Sequence, residues 1–490
     1  MFEQFKAKLK CDDLIAQLRA GLIGDGIDIP GPYGAKKLVY ADYVASARAL
    51  KPIEDFVTNS ILPYYANSHT RSSYCGAYMT QMREQARAEI AQSLGADDQY
   101  SVVFTGAGAT AAVNRLVRLL AVEEAVRAGL NPVIFIGPYE HHSNILPWRE
   151  TGAEIVIIPE AVSGGPDMDA LKAQLEAHCE CSLKIGSFSA ASNVTGITTD
   201  VVEVTRILKE NRAFAVWDYA GGAPYLPVSV KPSGVELDAV FLSAHKYPGG
   251  PAASGILAVR NQLSSTNRPS WPGGGTVTYV SPWSHDYVSS LSAREEAGTP
   301  NVIGDIRAAL CFMVKDAIGT GFLAERQAEL RARAKSKWLK QDNIRILGHQ
   351  SAERLPIFSF QVLDENGELV HHQLFTRMLS DLYGIQARGG CACAGPYGHD
   401  LLGIDADQSA QMRREIKDGN PLARPGWVRL NFSYLLDDEK ANFIIESVIE
   451  LANSASKFID NYVFDHATGS FLHRDELKAD ASLRNVVCCS

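Results

Sequence analysis

Seven short apolar runs recur between residues 100 and 260. They are "SVVFTG" (101–106), "NPVIFIGP" (131–138), "AEIVIIPE" (153–160), "LKIGSFSA" (183–190), "AFAVWD" (213–218), "DAVFLSA" (238–244) and "GILAVR" (255–260). Amphipathic stretches separate several of them. In "TAAVNRLVRLLAVEEAVRAG", Val113, Leu116, Val117 and Leu120 fall at helical spacing. Apolar strands alternating with helices predict an α/β fold with a mostly parallel sheet covered on both faces. In such sheets ligands bind beyond the carboxyl ends of the strands. Past about residue 305 the pattern changes. A long charged helix, "FLAERQAELRARAKSKWLKQ", leads to strand-like "IFSFQVLD", a helix near 372–383, then "GIQARGGCACAGPYG" and "GWVRLNFSY". The expected division is an N-terminal helical segment over 1–40 that packs with the small domain, a large domain over 41–304, a small α+β domain over 305–460, and a polar C-terminal tail over 461–490.

Composition narrows the class. A hydrophobic fraction of 46% with 21% charged residues is that of a soluble globular chain. The net charge of −9, without a long basic run, excludes nucleic acid or an anionic membrane as the main partner and leaves a small anionic ligand for any local basic group. The opening "MFEQFKAKLKCDDLIAQLRAGLIG" reads as an amphipathic helix. Lys6, Lys8, Lys10, Asp12 and Asp13 interrupt it, so it is neither a signal peptide nor a membrane span. Nine cysteines, an odd number on a large chain without a secretory signal, read as reduced thiols and a cytoplasmic protein.

The chemistry-bearing residues gather at predicted strand ends. "TGAGAT" (105–110) joins a strand to a helix, and its small residues suit either a tight turn or an anion site at a helix N-terminus. It is neither a P-loop nor a dinucleotide fingerprint. Asp218 ends "AFAVWD", where a carboxylate is either a helix cap or, if buried, the partner of a protonated group. His141 and His142 stand beside Asn144 in the strand-end loop "YEHHSNILPW". Lys246 sits in "FLSAHKYPGG", preceded by Ser243 and His245 and followed by a rigid turn. An amine at that position acts in imine chemistry only if burial or nearby positive charge lowers its pKa.

The motifs "EHHSNILPW", "ASNVTGI", "VWDYAGGAPY", "SAHKYPGGPAASGILAV", "PGGGT", "REEAGTPN", "GCACAGP" and "VRLNFSY" follow one another in the order typical of fold-type I, class V pyridoxal-phosphate enzymes. Over roughly residues 38 to 455 the chain resembles cysteine desulfurases and selenocysteine lyases of the short-loop type, and "MTQMREQAR" (79–87) is similar to that family's early helix. The resemblance implies that the large domain binds pyridoxal 5'-phosphate and that Lys246 is the lysine carrying it. It makes Asp218 the partner of the pyridine nitrogen, His141 the ring stacked on the cofactor, and Asn193 the amide beside the phenolic oxygen. Gly108, Ala109 and Thr110 match the phosphate-cradling turn, completed by Ser243 and His245. Thr299 matches a threonine reaching the phosphate in the partner subunit, hence a homodimer; Arg429 matches the arginine for the substrate carboxylate. Cys393 matches the nucleophilic cysteine, with Arg388 five residues upstream as a candidate for lowering its pKa.

The implied reaction starts when the substrate amine displaces Lys246, which then moves the Cα proton. The Cys393 thiolate attacks the substrate sulfur, leaving a persulfide and releasing alanine. No metal is expected, and a sulfur-acceptor protein is the expected macromolecular partner. Three places depart from the family. Gly221 replaces a glutamine usual three residues after the aspartate, and Cys391 replaces a histidine usual two residues before the nucleophile. The tail ending in Cys488 and Cys489 has no counterpart in the family core and is not a C-a-a-X box. Cys391 is either a buried small hydrophobe or a thiol that passes sulfur, forms a disulfide or binds a soft metal. Cys179 and Cys181 lack a second ligand pair nearby for zinc. Rival readings are a C–S lyase, selenocysteine lyase, epimerase or aminotransferase at the same lysine, or a sulfur-carrier protein that keeps the fold without turnover.

Overall fold

All seven apolar runs are strands of one sheet in the computed structural model, which describes residues 1–477. From one edge to the other the order is Tyr100–Gly106, Gly255–Arg260, Ala239–Ser243, Phe214–Asp218, Lys184–Ser189, Val133–Ile136 and Glu154–Ile157. Gly255–Arg260 runs antiparallel to both its neighbours, while the pairs from Ala239–Ser243 outward are parallel. Alternation of side chains along each strand splits the core in two. Val102, Phe104, Val133, Phe135, Trp217, Val240 and Leu242 face one helical layer. Val103, Ile134, Ile136, Ile185, Val216 and Phe241 face the other. Both faces are covered, which is why these runs read as continuous apolar segments rather than alternating ones.

The small lobe is a four-stranded antiparallel sheet in the order Ile344–Ile346, Ile357–Val362, Trp427–Asn431, Arg388–Gly390. Its core centres on Trp338, whose ring lies edge-on to Phe358 at 5.1 Å and within 5.5 Å of Phe360. Helices His372–Tyr383 and Asp438–Ala452 supply the rest of the apolar layer.

The expected boundaries shift in three places. The N-terminal helices Phe2–Leu9 and Leu14–Ala20 bury Phe2, Phe5, Leu9, Leu14 and Leu18 in the core of the large body rather than against the small domain. The remainder of the segment does reach the other lobe: Arg19 donates to the Leu435 and Leu436 carbonyls, Asp25 pairs with Lys440, the Tyr33 hydroxyl accepts from Asn461 Nδ2 at 2.9 Å while its ring packs edge-on to Phe458, and strand Val39–Tyr40 pairs with Ile385–Gln386. Helix Val302–Ile318, placed mostly beyond the 304/305 boundary, also packs in the large body, since nearly every one of its side chains is buried there. The expected tail instead begins with a hairpin, Tyr462–Asp465 on Ser470–His473, held to the small lobe by the buried Tyr462 hydroxyl, 3.0 Å from Asp381 Oδ2. The short apolar runs in "YVFD" and "SFLH" carried that signal, which the polar composition of the tail concealed. Cys488 and Cys489 lie outside the described residues. Among the described residues no helix is long and apolar enough to cross a membrane.

A buried charge network locks the large body together. Glu296 accepts from Arg83 Nη2 and Arg87 Nη1, each at 2.6 Å, and from the Phe104 amide at 2.7 Å, while Arg83 Nε reaches Asp305 at 2.6 Å. The carboxylate therefore ties helix Tyr74–Ser93 to an edge strand of the sheet, and Arg83 continues the link to helix Val302–Ile318. Removing one member leaves the others charged and desolvated. Glu296→Ala is expected to cost about 3–5 kcal/mol of stability, read as a lower urea midpoint with unchanged slope. A midpoint equal to that of the parent would show the network to be dispensable.

Candidate active site

The carboxyl ends of the sheet strands and one edge of the small lobe enclose a cavity of about 250 Å³. Larger clefts of about 760 and 730 Å³ lie under the N-terminal helices and beside the 161–169 loop, and neither holds any of the predicted residues. Lys246 ends the turn Ala244–Lys246 that follows strand Ala239–Ser243, and the exposure it retains is toward the cavity it lines. The "YPGG" turn folds tightly beneath it: a Cβ at Gly250 would stand 2.1 Å from the Ala244 carbonyl. Burial brings the Lys246 ammonium down to about 8, with Arg429 and Arg388 acting the same way against Asp218 and Asp42.

Asp218 ends strand Phe214–Asp218 and is buried, with Oδ1 accepting the Ala220 amide at 2.7 Å. Desolvation pushes its carboxyl up to about 6. His141 lines the cavity, and its Nδ1 accepts the Ser143 amide at 3.1 Å, which leaves the proton on Nε2. Burial and the Lys246 charge bring its pKa down to about 3, so the ring is neutral.

The "TGAGAT" turn opens helix Gly108–Leu119, and Ala109 and Thr110 at its N-terminus line the cavity. Ala109 N donates to Ser243 Oγ at 2.9 Å, and Thr110 Oγ1 lies 2.7 Å from Ser143 Oγ. Gly108 stands behind this turn at φ +61°, where a Cβ would press to 2.8 Å from Ser243 Oγ and 3.1 Å from His245 Cε1. Across the sheet a Cβ at Gly255 would sit 2.3–2.5 Å from the Gly108 backbone. The cradle exists because glycine occupies both positions.

Arg429 on strand Trp427–Asn431 and Arg388 on Arg388–Gly390 enter from the small lobe. Asp42 joins them, Oδ1 accepting Arg429 Nη2 at 2.9 Å and Oδ2 accepting Arg388 Nε at 3.0 Å. Arg388 thus gives its Nε to Asp42 rather than standing as a free charge for the cysteine. Cys393 lines the same cavity, close enough to Arg429 to interact with it electrostatically. Cys391 is partly buried, packed against the apolar cluster that holds Tyr139, Tyr397 and Trp427, and does not line the cavity. Asn193 faces the cavity, with Nδ2 donating to the Ala392 carbonyl at 2.8 Å. Its Oδ1 and the Nε of Arg429 are buried without a partner among the described residues.

Ala109, Thr110, His141, Asn193, Asp218, Ser243, His245, Lys246, Arg388, Cys393 and Arg429 therefore share one cavity, with Gly108 supporting it. Thr299 stands apart, exposed in the loop after helix Leu291–Glu295. Sequence reasoning missed Ser143 and Ser189, which line the cavity, and Asp42, which holds its two arginines. Asp42 follows "KLVYA" as a lone carboxylate, and nothing local distinguishes it from a loop residue.

Known proteins are similar to this chain in sequence and in fold. A probable cysteine desulfurase of Vibrio cholerae is 30% identical over 371 residues, covering 75% of this chain and 87% of its own. Cysteine desulfurase CsdA of Escherichia coli K12 is 29% identical over 375 residues, 73% and 85% of the two chains. Among solved structures, the apo cysteine desulfurase of Thermococcus onnurineus superposes with a TM-score of 0.71 at 24% identity, covering 85% of this chain and 94% of that one. E. coli CsdA in its S-sulfonic acid form gives 0.68 at 24%, covering 89% and 98%. The Aminotransferase class-V family model matches residues 39–413, a span that contains every predicted site residue except Arg429. With three quarters of its length matched in this way, the chain belongs to the class V aminotransferase family.

Proposed function

We propose that this chain is a pyridoxal-phosphate-dependent cysteine desulfurase: it takes sulfur from L-cysteine onto Cys393 as a persulfide and releases L-alanine. One observation carries the reading. Cys393, the one cysteine lining the cavity among the described residues, shares it with Lys246, Asp218 and Arg429. The names of the V. cholerae and E. coli relatives point the same way.

The residues fit the cofactor. A helix N-terminus with Ser243, His245 and Thr110 offers a phosphate cradle that a Cβ at Gly108 would fill. The buried Asp218 carboxylate would hold a protonated ring nitrogen, and His141 supplies a neutral ring to lie against the cofactor. Asn193 keeps one amide hydrogen beyond its bond to Ala392 for the phenolic oxygen. When bound, pyridoxal phosphate supplies the electron sink for bond breaking at the amino acid Cα.

The chain's own groups do the rest. Lys246, brought down to about 8 and so roughly half unprotonated there, takes and returns a proton at Nζ. Arg429 and Arg388, aimed by Asp42, receive the substrate carboxylate. The Cys393 thiolate takes the sulfur as the substrate C–S bond breaks and an S–S bond forms, and the Cβ left behind gains a proton to become the alanine methyl. This thiol chemistry belongs in a reducing compartment such as the cytoplasm. Homodimer formation completes the reading: Trp271, Tyr279, Val280 and Trp283 are exposed on the segment that precedes Thr299, an apolar surface suited to a second copy. Gly221, open on the cavity where the family has glutamine, gives a C–S lyase its opening as a second reading.

Incubation of the loaded protein with L-cysteine is expected to yield alanine and a 32-Da gain on the Cys393 peptide, roughly the mass of one sulfur atom. Cys393→Ser should lose alanine formation by about a hundredfold or more. Pyruvate and ammonia with an unmodified Cys393 would move the chain to the lyases. Capture of added pyridoxal phosphate by the apo-protein should accelerate with pH through about 8, because only the unprotonated Lys246 amine attacks. Absorbance rates from pH 6.5 to 10 measure it. A midpoint at the ~10.4 of an exposed lysine, or capture that survives Lys246→Ala, would be inconsistent with the assignment.

A further inference from the structure

The loop that presents Cys393 has an unusual backbone. Ala392 and Cys393 both adopt left-handed geometry, at φ 53° and 56°. Consecutive non-glycine residues in that region persist only where the surroundings hold them. The restraint comes from the opposite wall of the cavity. The His142 amide donates to the Cys393 carbonyl at 2.8 Å, and the Gly395 amide donates back to His142 Nε2 at 2.9 Å. A Cβ at Gly395 would approach Nε2 to 3.1 Å, so glycine lets the ring fit this closely. Asn193 adds a third tie, to the Ala392 carbonyl.

We propose that His142 is a positioning residue for the nucleophile: its neutral imidazole clamps the 393–395 turn and fixes Cys393 against the wall that His141 and Asn193 form. This rests on the reading of Cys393 as the sulfur-accepting thiol. The clamp needs the Nε2 lone pair, so Nδ1 carries the proton and the doubly protonated imidazolium cannot hold Gly395. Burial and then Arg149 lower the pKa of His142, which keeps the clamp closed at neutral pH. The other titratable groups around it are Glu140 and His141 on its own loop, Cys393 on the clamped turn, and His399 on the helix Gly395–Leu402, whose Nδ1 lies 2.7 Å from the Gly395 carbonyl. Acidification therefore opens the clamp, and rising pH closes it.

The test uses the full-length protein loaded with pyridoxal phosphate, comparing the parent with His142→Gln and His142→Ala. Glutamine places an acceptor oxygen near the position of Nε2 but does not titrate. Amide hydrogen exchange at Gly395 should speed up about tenfold in His142→Ala, the factor of one lost hydrogen bond, and stay slow in His142→Gln. As pH falls below the ordinary histidine range, after correction for intrinsic exchange, the parent should lose protection at Gly395 and His142→Gln should keep it. Alanine formation from cysteine should fall at least tenfold in kcat for His142→Ala and be largely restored in His142→Gln. Unchanged Gly395 protection in His142→Ala overturns the proposal. So does lost protection in His142→Gln with the absorbance of the lysine-held cofactor intact. If Cys393 never gains sulfur while the exchange pattern holds, the desulfurase reading fails and the clamp stands.

Discussion

The cavity depends on bringing an amine and a carboxylate out of water at the same sheet edge. Lys246 and Asp218 leave neighbouring parallel strands, and desolvation moves each toward its neutral form. Neither would be tolerated alone at that depth. Their attraction offsets part of the cost, and the two arginines from the small lobe are in turn held by Asp42. Charges of both signs thus alternate around a small volume. The result is an amine close to neutrality beside a carboxylate kept for a cationic partner, the combination that imine chemistry at a ring requires.

Backbone approach is the second requirement. Gly255 lets the last strand of the sheet lie against the turn at Gly108, and Gly108 leaves room for Ser243 and His245. The anion cradle is consequently a property of three separate chain segments. The lobes divide the labour: the large body supplies the cradle, the amine and its counter-charge, while the small lobe supplies the arginines and the cysteine.

Much of this was legible in the sequence because it was periodic or sat in ordered motifs. All seven strands of the main sheet follow from apolar runs, and Lys246, Asp218, His141, Cys393 and Arg429 meet in one cavity as the family resemblance implies. What escaped was non-local. Asp42 gains its place only when the small lobe folds over it, 346 residues away from Arg388 in the chain. The N-terminal helices carry an apolar face that fits either lobe, and sequence periodicity does not say which. The terminal hairpin was hidden because its strands are only four residues long amid polar neighbours.

The antiparallel strand Gly255–Arg260 has a consequence for how the molecule comes into being. It lies between Tyr100–Gly106 and Ala239–Ser243, joining the first sheet strand of the chain to the rest. During synthesis the cradle at residues 108–110 therefore has no wall until residue 260 has emerged, because the loop closing it spans the whole sheet. Closure of the cavity is for this reason a late event, and a ribosome stalled before that strand would display an unpaired edge rather than a half-built enzyme.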